Sequence, residues 1–336
     1  MAGRVSLHDI ANRAGVSAKT VSGALNDGSI RMSSQTRARV LSLAKELGYE
    51  PNIVARGMRQ GFMPVIGLVA EGLITQPFAT GIVRSLDNVA RSYGLSVFAT
   101  NVGASRSVED GIAEARRLLP RSIAFATMYN RSVTLSPAAR DAIALTINCR
   151  EASGSIPAIV PDERQAAETI VEHCFARGRR SIAFLNLPGL LAGRLREDGF
   201  RAAHAMRDTA VNDSWIRTAT RGVRYTEYAS SLVSAHINDL MSGSPRPDTI
   251  LCGNDRVALE VYGALRRLGA TIPDCVAIAS FDNQIEIARR LDPPLTTMAL
   301  PHRAIGRRAA EILAGEGLAP RQVEEIPFRL IERASV

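Results

Sequence analysis

Two hydrophobic periodicities divide the chain. Between Leu7 and Leu47 the apolar positions recur at helical spacing, first as Leu7, Ile10, Ala11 and Ala14, and last as Val40, Leu43, Ala44 and Leu47. Between these runs Thr20, Val21, Ala24 and Leu25 offer an inward face, with Ala18, Lys19, Ser22 and Gly23 on the outward side. Ser6 stands before the first run with Asp9 three residues on, the pattern of a capping box, and Gly15 can end that helix. Ser17 is placed to cap the second helix, so helix, glycine turn and helix follow one another. A third helix over 34–47 closes a small three-helix core.

Pro51 stops the third helix, and Asn52 can cap a short segment running to Arg59. Gly57 and Gly61 weaken that segment as a helix, since each glycine costs about 1 kcal/mol relative to alanine. From Pro64 onward short apolar runs alternate with amphipathic ones. Strands are expected at 65–70, 96–101, 122–127, 144–148, 181–185, 249–253 and 276–281, with helices at 82–93, 108–119, 164–177, 194–206, 225–241 and 257–268. Such alternation predicts doubly wound parallel sheets with helices on both faces.

Length and charge sharpen this division. The 336 residues suit a small N-terminal module joined to a larger body. Residues 1–62 hold nine Lys or Arg against four acids, leaving a net +5 there, while the other 274 residues carry +3 of the chain's +8. A basic module on a nearly neutral body is the layout expected where one end meets nucleic acid. Cys149, Cys174, Cys252 and Cys275 are widely spaced, with neither a disulfide framework nor a zinc pattern, so no metal or cofactor is expected. No apolar run reaches about 18 residues. His8 and Asp9 fall where a signal peptide needs its apolar segment, so a cytoplasmic location without membrane contact is expected.

Catalytic patterns are poor. There is no Walker A sequence, no Gly-x-Ser-x-Gly elbow and no His-Glu-x-x-His, and Gly315 and Gly317 follow a helix where a nucleotide loop would open one. The chain is therefore expected not to be an enzyme.

The run from Val5 to Asn26, VSLHDIANRAGVSAKTVSGALN, closely resembles the DNA-reading headpiece of the lactose-repressor and galactose-repressor (LacI/GalR) family. The likeness continues through Ser33–Val40, Leu47–Asn52 and Ala55–Arg59, and more weakly across the body. The resemblance implies an all-α helix-turn-helix headpiece at 1–50, a hinge helix and linker at 51–62, and a two-lobed, periplasmic-binding-protein-like α/β effector domain at 63–336. In that family three crossovers join the lobes, here expected near Pro161, Pro293 and Pro320. They would leave one lobe at 63–161 and 295–320 and the other at 162–292 and 321–336. A homodimer on a pseudo-palindromic operator is implied as well.

On that resemblance the helix beginning near Ser17 enters the major groove. Ala18 and Lys19 become base readers, with Ser17, Thr20, Ser22, Asn26 and Arg31 mostly on phosphates. Gly23 stands where many members carry a guanine-reading arginine, so the operator cannot be copied from relatives. Asn52, Ala55, Arg56, Met58 and Arg59 match the hinge, Met58 taking the place of the leucine that enters the minor groove. In the body, Phe78 would be an apolar wall and Arg196, Asn254 and Asp282 polar clamps for a carbohydrate-like effector, with Arg196 and Asp282 facing it from opposite lobes. Capping of the helix from Val257 is the plainer reading of Asn254, and a linker residue packing on its own domain is the plainer reading of Met58. Cys149 replaces an aspartate that many members carry, removing one hydroxyl acceptor. Leu190 and Ala192 fall near an arginine and a threonine of the purine-responsive member, which disfavours a purine. The implied function is a transcription regulator, expected to repress, under small-molecule control. A sugar-binding receptor without a regulatory role is the competing reading.

Overall fold

A computed structural model describes residues 5–25, 32–49, 57, 61–75, 79–222 and 230–336. The chain separates into two units, Met1–Met63 and Pro64–Val336. In the first, α1 (Leu7–Ala14), α2 (Ala18–Leu25) and α3 (Ser34–Glu46) surround a core of Ile10, Ala14, Val21, Ala24, Val40 and Ala44. The expected capping box is present: Ser6 Oγ accepts from the Asp9 amide, and the Asp9 carboxylate accepts from the Ser6 amide at 2.8 Å. Gly15 ends α1 at φ 63°, a left-handed conformation that glycine adopts without steric cost. Gly23, expected outward, is buried instead, because α2 turns that position toward the neighbouring helices.

The second unit holds two six-stranded sheets. The first is built from β1 (Met63–Glu71), β2 (Ser96–Val102), β3 (Pro120–Val133), β4 (Leu145–Glu151), β5 (Ala158–Pro161) and β13 (Val323–Ile326), in the order β13-β5-β4-β3-β1-β2. The second comprises β6 (Ile182–Asn186), β7 (Ile216–Thr218), β10 (Thr249–Cys252), β11 (Ala277–Asp282), β12 (Thr296–Ala299) and β14 (Arg329–Ile331), in the order β14-β12-β11-β10-β6-β7. Strand β1 runs parallel to β2, β3 to β4, β4 to β5, β5 to β13, β6 to β7 and β10, β10 to β11 and β11 to β12, while β12 and β14 are antiparallel. A small antiparallel pair joins β8 (Thr220–Arg221) to β9 (Ser230–Ser231). Alternation along β1 sends Ile66, Leu68 and Ala70 to one face and Val69 to the other, so each face of the sheet is covered by its own core.

The crossovers correct two expected boundaries. The first falls after Pro161, since β5 lies in the first sheet and α7 (Glu163–Ala176) packs on the second. The others fall after β12 and after β13: Thr296–Ala299 pairs with β11 of the second sheet, and Val323–Ile326 with β5 of the first. The helix between them, α12 (His302–Glu311), packs on α4 (Thr80–Ser92) of the first lobe. Neither strand was among those expected from the sequence, and the sheet a strand joins depends on distant partners. The helix expected over 225–241 starts at Val233 as α9 (Val233–Ser242), with Ser230–Ser231 in β9 ahead of it. No helix among the described residues is long and apolar enough to cross a membrane.

Candidate effector cleft and DNA-reading face

Between the lobes lies a cavity of about 50 Å³, lined by Arg196, Asn254 and Asp282 and, from the first lobe, by Met128, Tyr129, Asn130 and Asn148. Three of the four expected effector residues therefore share one cleft. The fourth, Phe78, lies outside the described residues, as does the rest of the Gln76–Phe78 segment.

Arg196 sits in α8 (Leu191–Met206) and is 3% exposed. Its Nε donates to Glu163 Oε2 at 2.7 Å, and its Nη1 donates to the Gly253 carbonyl at 2.5 Å. Nη2 lies 3.7 Å from Asp282 Oδ1, and the guanidinium stacks on the Phe281 ring, 4.4 Å from its centroid. Glu163 reaches Arg196 because α7 and α8 pack closely at Gly199, where a side chain would run into the Arg164 carbonyl. Asp282 terminates β11 and therefore belongs to the same lobe as Arg196. The expected placement on opposite lobes is thus overturned, because β11 and α8 pack on one sheet.

The Asp282 turn is held in a costly backbone conformation, with Asp282 at φ 107° and Asn283 at φ 53°. Non-glycine residues in such regions cost on the order of 1–3 kcal/mol and persist where surrounding contacts enforce them. Asp255 supplies those contacts: its carboxylate accepts from the Gln284 amide at 2.6 Å and from Thr297 Oγ1 at 2.9 Å. Burial raises Asp255 to about 6, against the lowering effect of those hydrogen bonds. Burial likewise pushes Asp282 up to about 8; Arg196 opposes the rise, while Asp255 and Glu163 add to it. Arg196 offsets the effect of burial only in part, because that one guanidinium faces two carboxylates and is already engaged by Glu163.

Asn254 caps α10 (Asp255–Arg267), its Oδ1 accepting from the Val257 amide at 3.0 Å, so the plainer reading of this residue has its geometry while the side chain also lines the cleft. Leu190 and Ala192 form part of the apolar lining. Cys149 is buried in the packing beneath β4, where burial pushes its thiol up to about 12. Its neighbour Asn148 lines the cleft instead, at φ 58°, with Nδ2 donating to the Thr127 and Met128 carbonyls. That side chain secures the register break of β3 against β4 between Ala126 and Arg131, which delivers Tyr129 and Asn130 to the cavity. Sequence reading missed Glu163, Asn130, Asn148 and His302, the last a lining residue pushed down to about 4 by burial. The crossover at Pro161 was the available signal for Glu163, since the chain passes from lobe to lobe just before it.

In the first unit, Ser17 Oγ accepts from the Thr20 amide at 3.1 Å and lies 2.8 Å from Thr20 Oγ1, fixing the start of α2. Lys19 is exposed, Ser22 is half-buried, and Ala18 packs partly against the core. Asn26, Arg31, Asn52, Ala55, Arg56, Met58 and Arg59 lie outside the described residues.

A helix-turn-helix unit followed by a two-lobed α/β unit with a polar cleft between its lobes defines a DNA-binding regulator under small-molecule control. Residues 6–52 match the family model for bacterial regulatory proteins of the lacI family, and residues 171–336 match a periplasmic binding protein-like domain. The sucrose operon repressor of Escherichia coli is 36% identical over 339 residues, covering 98% of this chain and 99% of the relative. The PurR repressor of Vibrio cholerae is 27% identical over 352 residues, covering 98% of each chain. The lac repressor dimer bound to operator and the anti-inducer ONPF shares the fold at a TM-score of 0.73, with 21% identity and 99% of each chain covered. A regulator of the family from Rhizobium etli gives a TM-score of 0.72 at 30% identity, over 81% of this chain and 98% of that one. The chain belongs to the lacI family of bacterial regulatory proteins, and is a sequence-specific DNA-binding transcription regulator whose operator affinity is controlled by a small molecule.

Proposed function

We propose that this regulator represses as a homodimer and that its effector is a sugar of the sucrose type, held between the lobes by Arg196 and Asp282. The observation that carries the reading is whole-length similarity to a sucrose operon repressor in a chain whose cleft pairs a guanidinium with a carboxylate. Such groups fix neighbouring hydroxyls by charge-assisted hydrogen bonds. Leu190 and Ala192 offer no hydrogen bond to the polar ring atoms of a purine, which disfavours a purine, although PurR proteins are also among the relatives. On the DNA side, Ala18 and Lys19 read bases, and Ser17, Thr20, Ser22, Asn26 and Arg31 meet phosphates. Asn52, Ala55, Arg56, Met58 and Arg59 serve as the hinge, with Met58 taken into the minor groove. Phe78 walls the effector, and Asn254 adds a polar contact. The protein works in the cytoplasm and catalyses no reaction.

The test is calorimetric titration of the full chain with sucrose, fructose, glucose and hypoxanthine, paired with gel shifts on its own promoter. Sucrose-type binding that changes operator affinity supports the reading. Binding of hypoxanthine alone assigns the cleft to a purine and overturns it.

A further inference from the structure

Glu163 is 2% exposed, carries a carboxylate and opens α7 at the point where the chain has just crossed between the lobes. Both of its oxygens are engaged, and they face different lobes. Oε2 accepts from Arg196 Nε at 2.7 Å within the second lobe, and Oε1 lies 3.4 Å from Asn130 Nδ2 on β3 of the first. Asn130 is itself 3% exposed, lines the cavity, and its Oδ1 has no hydrogen-bond partner among the described residues. A buried amide oxygen left without a donor costs about 1–3 kcal/mol, so a donor supplied from the cavity is favoured there. A sugar hydroxyl is such a donor.

From this geometry we propose that Glu163 is a positioning residue of the cleft, holding the Arg196 guanidinium toward the effector and making that hold depend on Asn130 of the opposite lobe. Arg196 then has its Nε fixed by Glu163 and its Nη1 by the Gly253 carbonyl, which leaves Nη2 to act with Asp282 on the ligand. A hydroxyl bonded to Asn130 Oδ1 reinforces the Asn130 to Glu163 contact and joins the lobes through the same carboxylate that sets Arg196. The coupling follows because a ligand moves an equilibrium only through contacts that differ between its two states. The proposal takes its sugar from the function proposed above, while the position of Arg196 stands without it.

The same arrangement has a titration signature. Asp282 is faced by Arg196 on α8, Asp255 on α10, Gln284 and Glu163 on α7, and shares its cavity with Arg256 and His302. Removing the Glu163 charge frees the guanidinium for Asp282 alone, so Asp282 ionises at lower pH. A residue that merely fills space has no such effect.

The experiment uses the full-length protein as wild type, Glu163→Gln and Asn130→Ser. Urea unfolding of the ligand-free proteins is followed from pH 5 to about 9, and sucrose binding by calorimetry over the same range. Glu163→Gln is expected to move the pH dependence of stability, and of sucrose binding, to lower pH and to weaken sucrose by about tenfold. Asn130→Ser is expected to weaken sucrose several-fold with the wild-type pH profile retained. Unchanged profiles and unchanged affinity in Glu163→Gln overturn the proposal. If Glu163→Gln does not fold, wild-type sucrose affinity in Asn130→Ser overturns the link to the first lobe. If wild-type protein ignores sucrose, the effector reading fails, and the ligand-free profile of Glu163→Gln still decides the role of Glu163.

Discussion

Arg196 Nη2 and Asp282 Oδ1 stand 3.7 Å apart on one lobe, with both side chains at most 10% exposed. The pair is unequal, because Arg196 has a second carboxylate at 2.7 Å, whereas Asp282 makes no second ion pair among the described residues. Removing Asp282 leaves Arg196 compensated by Glu163, whereas removing Arg196 leaves the Glu163 carboxylate buried without its cation. Breaking a buried pair from the side that strands a charge costs about 3–5 kcal/mol. Arg196→Ala is therefore expected to lose stability in that range, and Asp282→Asn much less, while both abolish the effector response. Urea unfolding at neutral pH measures the difference; equal losses would show that Glu163 does not share the guanidinium.

Asp282 also sets a pH dependence whose sign is fixed. Its folded value, about 8, lies above the unfolded aspartate value of 3.8, so the folded protein holds the proton more tightly. That contribution is complete below the unfolded value and is lost as pH rises through the folded one. Asp255, raised to about 6, acts in the same sense at lower pH. His302 acts in the opposite sense: its value is pushed down to about 4, so its contribution is present above 6.5 and lost as pH falls through 4. The Asp282 contribution should therefore decline from about pH 4 to about 8 and level off above, with a slope of at most about 1.4 kcal/mol per pH unit for one proton. Asp282→Asn should flatten that decline. A slope as steep in the variant as in the wild type would assign the proton elsewhere.

The elements that were legible in the sequence are those decided locally. The Ser6 and Asp9 box, the Gly15 turn and the Ser17 start all depend on atoms within a few residues, and their residue types reveal them. The seven expected apolar strands are legible for the same reason, whereas short strands such as β5, β7 and β12 to β14 were not anticipated. What was hidden depends on distant partners. Glu163 looks like an ordinary acid in the first turn of a helix, where the backbone dipole favours it. Its engagement with Arg196, 33 residues away, requires the close packing at Gly199. Asn130 is likewise brought to the cavity by a register break that the apolar pattern of β3 does not announce. The lobe to which Thr296–Ala299 belongs is a matter of which strand it pairs with, and nothing in its composition says so.

The close approach at Gly199 allows that dependence to be probed away from the cleft. A Cβ there meets the Arg164 carbonyl and lies 2.9 Å from Ala167 Cβ, so α7 and α8 must separate to accept it. Overpacking of this kind costs about 1–3 kcal/mol. Gly199→Ala is expected to lose stability in that range and to weaken the effector response, because Glu163 and Arg196 sit on the two displaced helices. A variant that loses stability but answers the effector like wild type would show that the helix spacing does not govern Arg196.

Lys19 offers a separate test on the DNA side. It is exposed on α2, a helix whose sequence, AKTVSGAL, carries no other charge. Gly23 is buried on the same helix and has no side chain to offer a base. Discrimination by this helix then rests heavily on Lys19, whose ammonium can donate to guanine O6 or N7 in the major groove. If it reads a base, Lys19→Ala should cost about 1–3 kcal/mol on the operator and relax preference at one position. If it meets only phosphate, the loss should be uniform across sequences, with the salt slope reduced by about one. Affinity measured on the operator and on single-base variants at two salt concentrations separates these outcomes. Loss of preference at a single base pair is expected, and a uniform loss would remove Lys19 from the base-reading set.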